Sequence, residues 1–358
     1  MNQRIIGIDV ARALAVIGMI IVNFKMIFGQ SGESWIGDFS SIFDGKAAAT
    51  FVVLAGVGLA FMTNSAVSGN DQDIWKKVRS KILKRAILLF FIGLSYIVIW
   101  PADILHFYGI YMLVTLIFIK VRSRYMLWSA LAIIFLYPLL MMLIDYDLGW
   151  DFTTFEYQGF WSMNGFIRNL FYNGFHPVVP WSAFMLIGLW FGRQDLNDDR
   201  FVKKSIVISL TLFLATKLIS VLLIQILSEG NEEVAVELSQ VLGTSPMPPL
   251  PIYMLAGSSI AIAAISTCIL ISRRFGDNPI IDALMKTGQL ALTFYVAHVV
   301  IGVGLVEIFG VEELGTYSLN FSFTYALIFS ISCIAFAMAW TRYYKIGPLE
   351  WAMRKLSA

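Results

Sequence analysis

The sequence has few charged residues. Asp, Glu, Lys and Arg make up 14% of its 358 residues, against about 25% in a typical soluble protein. Hydrophobic residues make up 58%, and the mean hydropathy is +0.75. Soluble domains of this size cannot bury so much apolar surface in their cores. The composition therefore predicts an integral membrane protein, which uses lipid as a solvent.

Other residue types and motifs are also scarce. The two cysteines, Cys268 and Cys333, lie inside apolar runs, which excludes a disulfide scaffold. A net charge of +2 is too small for a nucleic-acid binder. With three histidines and no metal-binding motif, no metal site is expected. The sequence has no Gly-rich phosphate loop, which disfavours an ATP-driven pump.

Long apolar runs such as 206–227 indicate membrane-spanning helices, because barrel strands would alternate in polarity over about ten residues. A bilayer core about 30 Å thick needs about 20 apolar residues per helix. The predicted fold is all-α, a polytopic helix bundle forming a single domain over 1–358. The ten candidate spans are 5–24, 45–63, 85–100, 104–119, 125–144, 178–192, 205–227, 250–271, 289–309 and 321–340.

The positions of lysine and arginine predict the orientation, because basic residues concentrate in cytoplasmic segments. With the N-terminus in the cytoplasm, 21 of the 26 basic residues fall in inside segments. The outer loops are acidic instead. Both termini are therefore expected in the cytoplasm, with an even number of spans.

The first span carries Asp9 and Arg12 within its apolar run and has no small-residue cleavage site after it, so it is not a cleaved signal peptide. The two residues are three apart and share one helix face. They form either a structural ion pair or the wall of a polar cavity open to the cytoplasm.

Polar residues also cluster at the predicted outer ends of spans one and two. Asn23 and Lys25 end the first span, and Asp44 and Lys46 begin the second. Asp44 is either a helix N-cap or part of a polar mouth lined by all four residues. Lys217 lies within span seven, where an ammonium group must snorkel, pair with an acid or meet a substrate.

The histidines are the candidate acid–base groups. His106 follows Asp103 by three residues, so the carboxylate either orients the imidazole or only caps the helix. His298 lies deep in span nine, near Tyr295, as either a base or a structural hydrogen-bonding residue. His176 is expected in an interfacial loop.

Four short motifs are spread over nearly the whole chain. They are IDVARALAV at 8–16 with Val22 and Asn23, FDGKAA at 43–48 with LAGVG at 54–58, ADIL at 102–105 with YGI at 108–110, and GQLALT at 288–293 with Tyr295 and His298. In this order the motifs resemble those of a superfamily of transmembrane acyltransferases. It includes the heparan-α-glucosaminide N-acetyltransferase family and the YeiB-like DUF418 membrane proteins.

The resemblance implies an enzyme of the bacterial cytoplasmic (inner) membrane. It would bind acetyl-CoA or another acyl-CoA from the cytoplasm and pass the acyl group to a hydroxyl or amino acceptor, often a sugar, at the outer face. Membrane lipids and a glycan or small-molecule acceptor are the other expected partners, and a homodimer is left open.

The resemblance also implies roles for particular residues. The general base is His298, or His106 oriented by Asp103, and Asn23 steadies the acyl carbonyl oxygen. The substrate-binding candidates are Asp9, Arg12, Asp44, Lys46 and Tyr295. The candidates for binding the phosphates of CoA are Lys77, Arg79 and Arg85.

The sequence departs from these families at two places. The stretch GESWIG at 32–37 lacks the outer-loop histidine of the heparan acetyltransferases, and Asn23 stands where sugar O-acetyltransferases carry a histidine. Either the base has moved to His106 or His298, or the activity is lost or altered. The rival function is a carrier for a small polar or lipid-linked solute, which would predict discontinuous helices at matching positions in two halves.

Overall fold

The computed structural model describes residues 4–32, 34–69 and 71–357, which are helical over most of their length. Helices suit these apolar segments because they satisfy every backbone polar group internally. The helices of the first half are α1 (Ile6–Phe28), α2 (Ser34–Ser41), α3 (Lys46–Ser68), α4 (Gln72–Ser95), α5 (Leu105–Phe118), α6 (Ser123–Met141), α7 (Met163–Arg168) and α8 (Val178–Gly192).

The second half continues in the same way. Two short segments, Asn169–Asn173 and His298–Val303, have π-helical hydrogen bonding. The remaining helices are α9 (Asp199–Ser228), α10 (Glu232–Leu242), α11 (Pro251–Arg274), α12 (Pro279–Gln289), α13 (Ala291–Ala297), α14 (Gly304–Phe309), α15 (Leu319–Trp340) and α16 (Pro348–Leu356).

The chain is a helical, polytopic integral membrane protein. Among the described residues, seven helices are long and apolar enough to cross a bilayer, or eight if α8 and the helical segment before it, bent by 45°, count as one span. Each of the ten sequence-predicted spans lies on a helix. Two of these helices are not among the eight. They are α5, which has only 14 residues, and α4, whose first half is charged. The count of ten therefore stays a prediction.

Polar residues fix where several helices begin. The Asp71 carboxylate accepts hydrogen bonds from the backbone N–H groups of Asp73 and Ile74 at the start of α4. Ser318 accepts one from the N–H of Phe321 at the start of α15. These side chains satisfy N–H groups that have no partner within the helix.

Helix α1 lies at the centre of the bundle and packs against α3, α11, α12 and α15. Two glycines allow this close approach. A Cβ added at Gly288 of α12 would lie 1.8 Å from the carbonyl oxygen of Asp9, and one at Gly7 would lie 2.3 Å from Cα of Ile269. The backbone of α1 therefore contacts its neighbours directly, as is common where small residues line membrane helix interfaces.

Glycines also set the packing of α3 against α8. A Cβ at Gly56 would lie 2.1 Å from the carbonyl oxygen of Met185, and one at Gly188 would lie 2.0 Å from that of Val53. Both contacts are to backbone atoms, which cannot rotate away. The interface therefore requires glycine at these positions.

We expect Gly188→Ala to destabilise the fold, because α3 and α8 would have to move apart. Overpacking of this kind costs about 1–3 kcal/mol. Thermal unfolding of the purified protein measures it as a lower midpoint. Gly304→Ala is the matched control, since a Cβ at Gly304 meets no atom within 4 Å. Equal midpoints for the two variants would contradict the prediction.

The loop between α6 and α8 is folded. Its strands β1 (Trp150–Asp151) and β2 (Glu156–Tyr157) form an antiparallel pair. The side chain of Asn173 joins the parts of the loop. Its Oδ1 accepts a hydrogen bond from the Tyr157 hydroxyl at 2.7 Å, and its Nδ2 donates to the carbonyl oxygen of Tyr146 at 2.6 Å. The loop is therefore ordered against the bundle.

Candidate functional site

Asp103 and His106 form a buried pair at the start of α5. Nδ1 of His106 lies 3.0 Å from Oδ2 of Asp103, and the side chains are 1% and 0% exposed. The same carboxylate oxygen accepts a hydrogen bond from the backbone N–H of His106 at 3.0 Å. Asp103 thus contacts both the first turn of α5 and the imidazole, and its role in orienting a catalytic base stays a prediction.

Two tyrosines complete the surroundings of Asp103. The Tyr96 hydroxyl donates to its Oδ1 at 2.6 Å, and the Tyr295 hydroxyl lies 3.3 Å from the same oxygen. Tyr295 also accepts a hydrogen bond from the backbone N–H of Ile104. A Cβ at Gly93 of α4 would lie 2.3 Å from Oδ2 of Asp103. The carboxylate is therefore held on all sides.

The imidazole of His106 keeps one nitrogen free. Its Nε2 is buried and has no hydrogen-bond partner among the residues that the structure describes. A carboxylate at Nδ1 favours the tautomer in which Nδ1 carries the proton. Nε2 then presents a lone pair, which is the arrangement that a general base needs.

His298 meets the outer half of α1. Its Nε2 lies 2.9 Å from Nδ2 of Asn23, which is 275 residues away along the chain. His298 begins the π-helical segment in the span formed by α13 and α14, and its ring lies against that of Tyr295 with centroids 5.1 Å apart. His298 therefore lies beside Asn23, the position at which the sequence departs from the sugar O-acetyltransferases that it resembles.

The third histidine lies near the other two. The His176 ring packs edge-on against Trp181 with centroids 4.6 Å apart and lies 6.1 Å from the ring of Phe107. Phe107 in turn packs on the ring of His106 with centroids 3.9 Å apart. The structure thus brings all three histidines into one region of the bundle, a grouping that was not predicted from the sequence.

A cavity of about 370 Å³ opens at the end of the bundle that carries Arg4, which we call the inner end. This end is the predicted cytoplasmic side. The cations that line the cavity come from the first quarter of the chain and from its C-terminal segment. They are Arg4, Arg12, Arg85, Lys345 and Arg354.

The cations exceed the acidic groups in this cavity. Asp9, beside it, is bound by two arginines: Arg12 Nη1 donates to its Oδ1 at 2.9 Å, and Arg4 Nε donates to its Oδ2 at 2.6 Å. The predicted ion pair is therefore present. Desolvation, and then the positive charges of Arg85 and Arg354, lower the pKa of Lys81 at the cavity's margin. The cavity therefore suits a polyanionic ligand.

Aromatic rings separate the inner cavity from the buried histidines. Phe51 and Tyr108 line the cavity, and their ring centroids lie 5.9 Å apart. Phe51 stacks on Tyr295 at 6.0 Å, on the far side. Leu105, next to His106 in the chain, also lines the cavity. The cavity therefore ends one residue layer away from the histidine site.

The C-terminal helix α16 is joined to the helix that leads to His298. Oε1 of Glu350 accepts hydrogen bonds from the backbone N–H groups of Leu292 and Thr293 at 2.8 and 3.1 Å. Its Oε2 accepts one from the Thr293 hydroxyl at 2.6 Å. The residue at the N-cap of α13 is Leu290, which cannot cap, so Glu350 supplies the missing acceptor.

We expect Glu350→Gln to lower the stability of the protein by about 1–2 kcal/mol, because a charged N-terminal cap is replaced by a neutral one. The midpoint of thermal unfolding measures the change. Glu313→Gln, in an exposed outer loop, is the control. The capping role would be wrong if both variants unfolded at the same temperature as the parent.

The outer end of the bundle, opposite Arg4, holds the remaining predicted residues. Lys25 Nζ donates to both carboxylate oxygens of Asp44 at 2.8 Å, so this carboxylate is held by an ion pair. Lys46 Nζ lies 3.4 Å from the carbonyl oxygen of Ser41. The four polar residues predicted to line one mouth are thus divided, since Asn23 binds His298 instead.

The predicted phosphate-binding residues are also divided. Arg85 lines the inner cavity, whereas Lys77 and Arg79 are exposed in the first half of α4 and do not. Lys345 and Arg354 also line the inner cavity, although neither was predicted from the sequence. The basic residues at the end of the short amphipathic helix α16 could have indicated Arg354. Among the described residues, no group of three or more His, Cys, Asp or Glu side chains could hold a metal ion.

Two family models match the chain. The model described as heparan-alpha-glucosaminide N-acetyltransferase, catalytic, matches residues 4–226, more than half of the chain. The model described as protein of unknown function (DUF418) matches residues 190–358. No curated protein matches the chain. The histidine site takes His106 from the first matched region and His298 from the second.

Proposed function

Since the chain belongs to the DUF418 and heparan-α-glucosaminide N-acetyltransferase-like family of membrane proteins, we propose that it transfers an acyl group, an acetyl group in the first instance, from acyl-CoA to a hydroxyl or amino acceptor. The observation that carries the proposal is the buried Asp103–His106 pair with a free Nε2.

The inner cavity is the proposed acyl-CoA site. The phosphates bind its cations, of which Arg85, Lys345 and Arg354 form no ion pair with a described residue. With ten spans and both termini in the cytoplasm, this cavity opens to the cytoplasm. Arg4 and Arg354 both line it, which supports having both termini on one side.

The acyl group must pass from the cavity to the histidines. Along α1, Arg12 and Asn23 are eleven residues apart, or about 16 Å at 1.5 Å per residue. We infer that the acyl-bearing arm of acyl-CoA extends from the cavity to the histidines when the ring of Phe51 or Tyr108 rotates. The acceptor approaches from the outer end, where Asp44 and Lys46 lie.

In the proposed reaction, Nε2 of His106 removes the proton from the acceptor O–H or N–H as the acceptor attacks the thioester carbonyl carbon. The new C–O or C–N bond forms, the C–S bond breaks, and the proton passes to the departing thiolate to give CoA. Asn23 has a second amide N–H besides the one directed at His298, and this group donates to the acyl oxygen.

Transfer of radiolabelled acetyl from acetyl-CoA by the full chain in nanodiscs tests the proposal. The wild type should label an acceptor from a panel of sugars and amines or, without an acceptor, release CoA slowly. His106→Gln should lose this activity and keep acetyl-CoA binding. A wild type that neither binds nor turns over acetyl-CoA would overturn the proposal, and acceptor uptake without an acyl donor would favour the carrier.

A further inference from the structure

Three lysines meet at the outer end of the bundle, where they exceed the acidic groups. They are Lys25 of α1, Lys46 of α3 and Lys217 of α9. Asp44 is the carboxylate that lies two residues before Lys46 in the chain. Both oxygens of Asp44 already accept hydrogen bonds from Lys25. Lys46 and Lys217 therefore form no ion pair within the described part of the chain.

The loop between α10 and α11 brings Lys217 next to Lys46. Lys217 Nζ donates to the Thr244 hydroxyl at 3.1 Å. Two residues later, Pro246 packs on Gly45, where an added Cβ would lie 2.6 Å from the proline ring. Gly45 has a φ of +66° and directly precedes Lys46. These contacts place Lys217 and the loop that it binds against the start of α3, where Lys46 lies. Two positive charges at one place repel each other.

The surroundings make this repulsion costly. Leu214, Leu218 and Val221 are exposed on the same helix as Lys217, in a segment apolar enough to lie in the bilayer. Positive charges held near one another beside lipid are poorly screened by water. An anion between them would replace the repulsion with two attractions. The described residues provide no negative group that pairs with Lys46 or Lys217, so a bound molecule has to supply one.

We propose that Lys46 and Lys217 bind a phosphate group of a molecule at the outer end of the bundle. Lysine ammonium groups are common phosphate partners, and the start of α3 adds the positive end of its dipole. The phosphate belongs to an anionic phospholipid or to a phosphate-bearing solute. This ligand site is separate from the inner cavity, and it does not depend on acyl transfer.

Thermal unfolding of the full chain in nanodiscs tests the site, with Lys217→Gln as the variant. In phosphatidylcholine alone, this variant should unfold at a higher temperature than the wild type, because the repulsion is relieved. Added phosphatidylglycerol should raise the midpoint of the wild type and leave that of the variant nearly unchanged. The second arm adds inorganic phosphate to the protein in phosphatidylcholine discs. A higher unfolding midpoint there indicates that the ligand is a phosphate-bearing solute.

Lys203→Gln is the matched control, since it removes the same charge from the exposed inner end of the same helix. It should respond to phosphatidylglycerol and to phosphate like the wild type. Lys46→Gln should weaken the apparent affinity for the effective anion about tenfold, as expected when a charged hydrogen bond is lost. The proposal is overturned if neither anion stabilises the wild type, or if Lys217→Gln responds as fully as Lys203→Gln.

Discussion

Asp103→Asn is expected to slow acyl transfer by about 10²–10⁴-fold, the usual contribution of a positioned general base. The substitution keeps the size of the side chain. The asparagine oxygen can still accept from the backbone N–H and from Nδ1 of His106, because both lie at the same carboxylate oxygen. The negative charge is lost, however, and with it the stabilisation of the imidazolium that forms when Nε2 takes the acceptor proton.

The measurement is the rate of acetyl transfer per folded molecule at saturating acetyl-CoA, together with the Kd for acetyl-CoA. The rate should fall and the Kd should not change, since Asp103 does not line the inner cavity. Tyr96→Phe is the control, because it removes one donor to Oδ1 of Asp103 and keeps the carboxylate. It should reduce the rate by less than about tenfold. A full rate for Asp103→Asn would exclude His106 as the base and favour His298.

Arg354→Gln is expected to weaken acetyl-CoA binding by about 10- to 100-fold, because one charged hydrogen bond to a phosphate is worth about 1.5–3 kcal/mol. Arg354 lines the inner cavity and makes no ion pair with a described residue. The loss should diminish as salt is added, since screening weakens exposed charge pairs. Titration calorimetry at two ionic strengths measures both effects.

The neighbouring Lys355 provides a matched control. Its ammonium lies over the ring of Trp351 at 5.0 Å and outside the cavity, so Lys355→Gln should leave the affinity unchanged. Acetyl-pantetheine is the second control, because it lacks the nucleotide phosphates of CoA. If Arg354→Gln weakened both ligands equally, the loss would come from a disturbed α16 and not from a phosphate contact.

The histidine site shows which contacts can be predicted from sequence. Asp103 and His106 are three residues apart, as are Asp9 and Arg12, and in each case the two side chains are in contact. Local helical geometry determines such contacts, whatever the rest of the fold does. Asn23 and His298 were each singled out, but their contact joins residues 275 apart and could not be predicted without the fold.

The phosphate-binding prediction illustrates the opposite case. Lys77, Arg79 and Arg85 are close in the sequence, yet only Arg85 lines the inner cavity. The run of basic residues is also what the positive-inside rule produces in any cytoplasmic segment, so its density carries little information about a site. Which cations converge depends on how α1, α4 and α16 pack.

The sequence by itself determined the membrane class, the helices on which the predicted spans lie and the two local side-chain contacts, because hydropathy and helical spacing act over short distances. Only the tertiary structure decided which of these residues meet. It placed Glu350 on the start of α13, and the loop that binds Lys217 against the start of α3. Such contacts follow from the close approach of helix backbones at residues such as Gly288, which depends on all the neighbouring helices at once.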